Sequence, residues 1–134
     1  MVIDTSALVV ILRQESGAEG LLGRLTAAGS RRISAASLLE TAIVLEGKFG
    51  VRGGEQLDLF LARAQIEVEP VTAEHARIAR KAWLRYGKGR GHAAALNFGD
   101  CFSYALAKSL GEELLYKGAD FAHTDVAPAR AESD

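Results

Sequence analysis

The chain predicts an α/β fold, a three-layer sandwich in which a short central parallel sheet is flanked by helices. Two observations carry that prediction. Short apolar runs at 1–3, 32–34, 66–70 and 114–116 alternate with longer segments of helical periodicity, the pattern of βαβ units whose crossover helices cover both faces of a parallel sheet. The 134 residues, 49% apolar and 25% charged, are those of an ordinary globular protein and suit one domain over 1–134, the last few residues being expected as a flexible tail.

Taken in order, Met1-Val2-Ile3 predicts a strand, and Asp4-Thr5-Ser6 stops it with three helix-capping residues. Ala7 to Leu12 continues apolar, as a buried first helix does. A second helix is predicted over 18–28, with Leu21, Leu22 and Leu25 on one face and Gly29 as its stop. After the strand at 32–34, Ser37-Leu38-Leu39-Glu40 fits a capping box and opens a helix to about Gly50. Gly53-Gly54 is expected to separate it from another helix over 55–64. The alternating run at 66–70 predicts a strand ending at Pro70, and Thr72 caps a basic helix to about Tyr86. GKGRG at 87–91 is a loop, 97–110 a helix, and Leu114-Leu115-Tyr116 the last strand.

Composition removes several function classes. A single cysteine, Cys101, excludes a disulfide framework and a multi-cysteine zinc site, and is expected as a small buried packing residue. The N-terminal apolar stretch is interrupted by Asp4, ends at Arg13 and has no basic segment before it. That predicts a cytoplasmic chain without a membrane span. A net charge of −1 argues against indiscriminate coating of nucleic acid or membrane.

In open α/β sheets the functional crevice lies beyond the carboxyl ends of the strands. Asp4 directly follows the first strand, Glu40 and Asp100 lie near helix starts, and Asp120 follows the last strand. Each alone is explained as a cap or turn residue. Together at one edge they repel, by roughly 4 kcal/mol per pair at 4 Å and an effective dielectric near 20. Protons or a divalent cation must offset that repulsion. Oxygen donors with no cluster of His or Cys suit Mg²⁺, or Mn²⁺, rather than zinc.

The segments VIDTSAL at 2–8, SLLE at 37–40, LNFGDC at 96–101 and KGADF at 117–121 resemble the PIN-domain ribonucleases, and more closely the VapC toxins of toxin–antitoxin pairs. The resemblance runs along the whole chain. It implies metal-dependent hydrolysis of RNA that leaves a 5′-phosphate and a free 3′-hydroxyl, and inhibition by a cognate antitoxin. It also implies a homodimer, or a hetero-oligomer with the antitoxin. By position Asp4, Glu40 and Asp100 match the family's main acids, with Glu40 as ligand or general base, and Ser6 matches a residue supporting the first acid. The family's fourth acid commonly precedes the position of Asp120 by two residues; here Gly118 stands there, so Asp120 is assigned the role with Asp125 in reserve.

Between His75 and Gly99 there are six cations and no acid, which leaves −7 on the rest of the chain. Arg85, Lys88 and Arg90 flank the glycine-rich loop leading to Asp100, and are candidate RNA contacts. Tyr86 and His92 are candidates for base stacking, Trp83 is expected in the core, and Lys108 and Lys117 are further phosphate-contact candidates. His123 and Asp125 have a spacing open to a metal. Apolar residues on both sides of the helices around 37–65 predict deep burial or a partner groove for the antitoxin. The rival reading is a non-catalytic module that binds RNA or a protein partner.

Overall fold

The computed structural model describes residues 1–129; the expected C-terminal tail lies outside them. Strand β1 (Val2–Ile3) leads into α1 (Thr5–Leu12) and α2 (Ala18–Ala27), then β2 (Arg32–Ser34), α3 (Ala35–Phe49) and α4 (Val51–Arg63). There follow β3 (Glu67–Glu69), α5 (Ala73–Tyr86), α6 (Phe98–Leu110) and β4 (Leu114–Leu115). The sheet has the order β3-β2-β1-β4 and every pairing is parallel, with Ile3 opposite Leu115 and Ile33 opposite Val68.

Successive strand residues point to opposite faces, and the two-residue strands use this to build two cores. Ile3 and Leu115 face a cluster with Leu8, Leu21, Leu25 and Leu45, whereas Val2 and Leu114 face one with Tyr86, Leu96, Tyr104 and Leu106. Helices therefore cover both faces, as the alternation of elements predicts. The strand order turns back at β1, with β2 and β3 on one side and β4 on the other. A crevice outside the carboxyl ends of β1 and β4 follows from that reversal.

Four local expectations are corrected. The cap of α3 is Ser34, whose hydroxyl accepts from the Ala36 N–H at 3.3 Å; Ser37 lies inside the helix. Glu40 is thus not in a capping box. The break between α3 and α4 falls at Gly50, at φ +67°, and Gly53-Gly54 lie within α4. Those two glycines serve packing instead, since a Cβ at Gly53 would lie 2.4 Å from the Leu45 carbonyl oxygen. Leu22 is exposed, so only Leu21 and Leu25 of the predicted face are buried. Trp83 is not a core residue but is 42% exposed.

Candidate active site

Asp4 leaves β1 in extended conformation and caps α1. It is 2% exposed, yet three donors reach its carboxylate. Ser6 donates to Oδ2 from its N–H at 3.0 Å and from its hydroxyl at 2.6 Å, and the Ser103 hydroxyl donates to Oδ1 at 2.6 Å. The Ser6 hydroxyl in turn accepts from the Lys117 N–H at 3.0 Å, tying the segment after β4 to the start of α1. Ser103 is within 3.0 Å of the Ser37 hydroxyl, so a buried chain of hydroxyls runs from α3 through α6 to Asp4. Charge-assisted bonds of this kind hold a carboxylate in one orientation.

Asp100 stands in the first turn of α6. Its N–H donates to Asn97 Oδ1 at 2.8 Å and its Oδ2 accepts from the Asn97 N–H at 3.1 Å, a reciprocal capping box. Burial pushes its carboxyl up to about 8; the Asn97 N–H opposes this, while Asp4 and Asp120 add to it. Asp120 is exposed, on the segment after β4, and its carboxyl lies close enough to Asp100 to raise it. Glu40 arrives from α3, half-buried, with its carboxylate against the backbone of Gly99, where a Cβ would sit 2.1 Å from Oε2.

Helices α3 and α6 both run back along parallel strands, so their N-terminal turns come to the edge where β1 and β4 end. That is why acids distant in sequence assemble there. Among the described residues none of the four is paired with a lysine or arginine. No three His, Cys, Asp or Glu among the described residues already close around one point as a ready metal cage. The donor set is nonetheless one that fits a hard divalent cation. Mg²⁺ is ordinarily bound by one or two carboxylates, with water and substrate phosphate completing its shell.

The reserve acid lies apart from this constellation. Asp125 accepts from the Tyr104 hydroxyl and pairs with Lys108 Nζ at 3.2 Å, which engages Lys108 as well. The Lys108 ammonium and Tyr104 hydroxyl hold Asp125 below the usual carboxylate range, against the opposing effect of burial, which is the largest single influence. His123 is exposed. Cys101 is buried, and burial with the Asp100 charge pushes its thiol up, consistent with a packing role.

The basic candidates lie on the end of α5 and the loop that leads to α6. Arg85, Lys88 and Arg90 are exposed, and Gly89 and Gly91, on either side of Arg90, take positive φ values of 85° and 77°. Arg85 lies over the Tyr86 ring at 4.8 Å and Arg90 over the Trp83 ring at 5.2 Å. Tyr86 is buried, packed on Tyr104 and His92, and so presents no open face for stacking. Sequence reasoning missed Ser103 and misassigned Ser37. The available signal was the three-residue spacing from Asp100 to Ser103, which brings both to one side of α6.

A family model described as PIN domain matches residues 1–127. A ribonuclease VapC of Mycolicibacterium smegmatis is 58% identical over 127 residues, covering 95% of this chain and 98% of the relative. Ribonuclease VapC30 of Mycobacterium tuberculosis is 54% identical over 127 residues, covering 95% and 96%. Among solved structures, Mycobacterium tuberculosis VapC20, described as a sarcin–ricin-loop-cleaving toxin, superposes with a TM-score of 0.76 at 22% identity over 97% of this chain and 98% of that one. A toxin–antitoxin complex from Klebsiella pneumoniae gives 0.68 at 16% identity, covering 92% of each chain. At these identities the superpositions speak to the fold alone.

Proposed function

The chain belongs to the PIN-domain family, and from that premise we propose that it is the toxin of a toxin–antitoxin pair, a metal-dependent endoribonuclease acting in the cytoplasm. One observation carries the reading: Asp4, Asp100, Asp120 and Glu40 lie along the edge where β1 and β4 end, with no lysine or arginine paired to them among the described residues. Such a set of oxygen donors is suited to Mg²⁺ or Mn²⁺. The strong identity to ribonucleases named VapC supports the same activity.

In this reading Asp4, Asp100 and Asp120 hold the cation, together with Glu40. When bound, the metal neutralises phosphate charge and lowers the pKa of a coordinated water. The protein does the rest by positioning. Ser6 and Ser103 lock the Asp4 carboxylate, and the Asn97 box fixes Asp100. Glu40 is available as ligand or as general base for the attacking water. Water oxygen bonds to phosphorus as the bond to the 3′-oxygen breaks, giving a 5′-phosphate and a 3′-hydroxyl. Arg85, Lys88 and Arg90 contact the phosphates alongside.

The antitoxin is assigned to the apolar surface of α3 and α4, where Leu39 and Ile43 are each 62% exposed. A toxin–antitoxin complex among the fold neighbours supports a partner of that kind. The toxin itself is proposed as a homodimer, or a hetero-oligomer with the antitoxin.

The test is digestion of total RNA by antitoxin-free protein, with Mg²⁺ or Mn²⁺ and then with chelator. Cutting is expected only with metal, and is expected to fall at least 100-fold in Asp4→Asn and Asp100→Asn, about the cost of losing one essential charge-stabilising group. RNA binding without metal-dependent cutting would favour the non-catalytic module, and cutting unchanged in both variants would overturn the assignment of the reaction to these acids.

A further inference from the structure

A pocket between α5 and α6 is left unused by the acids. It has a volume of about 410 Å³ and is lined in part by Ala76, Ala79, Arg80, Trp83, Phe98 and Phe102. Phe98 is 80% exposed although it is the first residue of α6. Its ring stands edge-on to Phe102 at a centroid distance of 4.9 Å. Capping of α6 is done by Asn97 and Asp100, so the Phe98 ring contributes nothing to that cap. Trp83 is held in place by Gly87, where a Cβ would lie 2.5 Å from the indole Cδ1. The pocket therefore has aromatic walls on both helices.

Charge decides what fits. Arg80 lines the pocket, Arg90 lies over the Trp83 ring, and the chain between 75 and 99 has no acid. A second copy would set Arg80 and Arg90 against their own counterparts and offer them no acid from the 75–99 stretch. A nucleobase stacks on aromatic rings while its phosphates meet the cations, which is how single strands are commonly gripped. Phe98 and Cys101, both lining residues, bracket Asp100 in the first turns of α6. We propose that this pocket receives an unpaired base of the RNA substrate, from a nucleotide flanking the cleaved phosphate. The proposal rests on the ribonuclease reading above.

Trp83 is the only tryptophan in the chain, so its fluorescence reports on the pocket without a label. The protein is titrated in chelator with 12-nucleotide oligoadenylate, with oligouridylate, and with an abasic ribose-phosphate chain of equal length, binding being followed separately by gel shift. Both base-bearing strands are expected to quench Trp83, and the abasic strand to bind without quenching. Phe98→Ala, at an exposed position, is expected to weaken oligoadenylate binding about 5- to 150-fold, the range for losing one base–aromatic stack. With Mg²⁺ the same variant is expected to raise KM with kcat nearly unchanged. Equal quenching by the abasic strand, or no effect of Phe98→Ala while the wild-type protein cuts RNA, would overturn the pocket and leave the ribonuclease reading standing. A concentration-dependent Trp83 shift without RNA, abolished by Phe98→Ala, would put a second copy there and overturn it too. Quenching by bases without any metal-dependent cutting would overturn the ribonuclease reading and leave the base pocket standing.

Discussion

Gly99 has no side chain because the Glu40 carboxylate occupies the place where one would be. Gly99→Ala would push that carboxylate aside, and the flexible end of a glutamate yields more cheaply than backbone. The variant is therefore expected to fold normally while losing roughly 10- to 100-fold in kcat, the scale of a displacement of about 1 Å in a catalytic group. Adding Glu40→Ala should cost little more; a full additional loss in the double variant would show that Gly99 acts otherwise. Asp100 makes a second prediction at this scale. Its carboxyl titrates at about 8 in the fold against about 3.9 unfolded. The stability it permits is fully present below pH 4 and is lost as pH rises from 4 through 8. Asn stays neutral and can still accept from the Asn97 N–H. In chelator, Asp100→Asn should match the wild type near pH 4 and exceed it in Tm by a margin that widens as pH rises towards 8. Melting curves whose difference is flat with pH would refute this. Asp4 and Asp100 were legible as candidates because one directly follows a strand and the other stands in the first turn of a helix; Glu40 was reached through a capping box it does not form. Ser103 was harder to find, because its three-residue spacing from Asp100 gains meaning only once the packing of α6 brings it to Asp4.

Among the elements, those with a local chemical signal were readable and those governed by packing were not. Thr72 and Asn97 cap α5 and α6 through side-chain bonds to the third residue, a pattern visible in sequence. The SLLE at 37–40 has the same pattern, yet Ser34 is already committed as the end of β2 and starts the helix one turn earlier. Gly53-Gly54 likewise reads as a break until the neighbouring helix is known. The glycine sites yield opposite predictions. Gly47, in α3, has open space around its would-be Cβ, so Gly47→Ala should stabilise by about 0.5–1 kcal/mol through helix propensity. Gly53→Ala meets the Leu45 carbonyl at 2.4 Å and must separate α3 from α4. It should destabilise by about 2 kcal/mol, within the range for overpacking, despite the same propensity gain. Denaturant midpoints decide both, and a Gly53→Ala as stable as the wild type would refute the close-packing account.

For the molecule as a whole, charge and topology are separated in a way that the net value conceals. A charge of −1 is the sum of a +6 stretch from 75 to 99 and −7 elsewhere. The strand order β3-β2-β1-β4 puts its reversal beside Asp4, and the basic loop feeds α6, whose first turn carries Asp100. The loop that carries part of the positive stretch thus joins in sequence the helix turn that carries one of the acids. On the proposed reading, affinity for single-stranded RNA should fall with salt according to the number of phosphates met, with a logarithmic slope of roughly −0.7 per contact. Replacing Arg85, Lys88 and Arg90 together by Gln should weaken binding in low salt and flatten that slope by about 2. Because these side chains are exposed and clear of the acids, Tm should hardly change. The measurement is binding of a short single-stranded RNA in chelator at several salt concentrations. An unchanged slope would mean that these cations do not meet phosphate and that the +6 stretch is merely a solvated helix face.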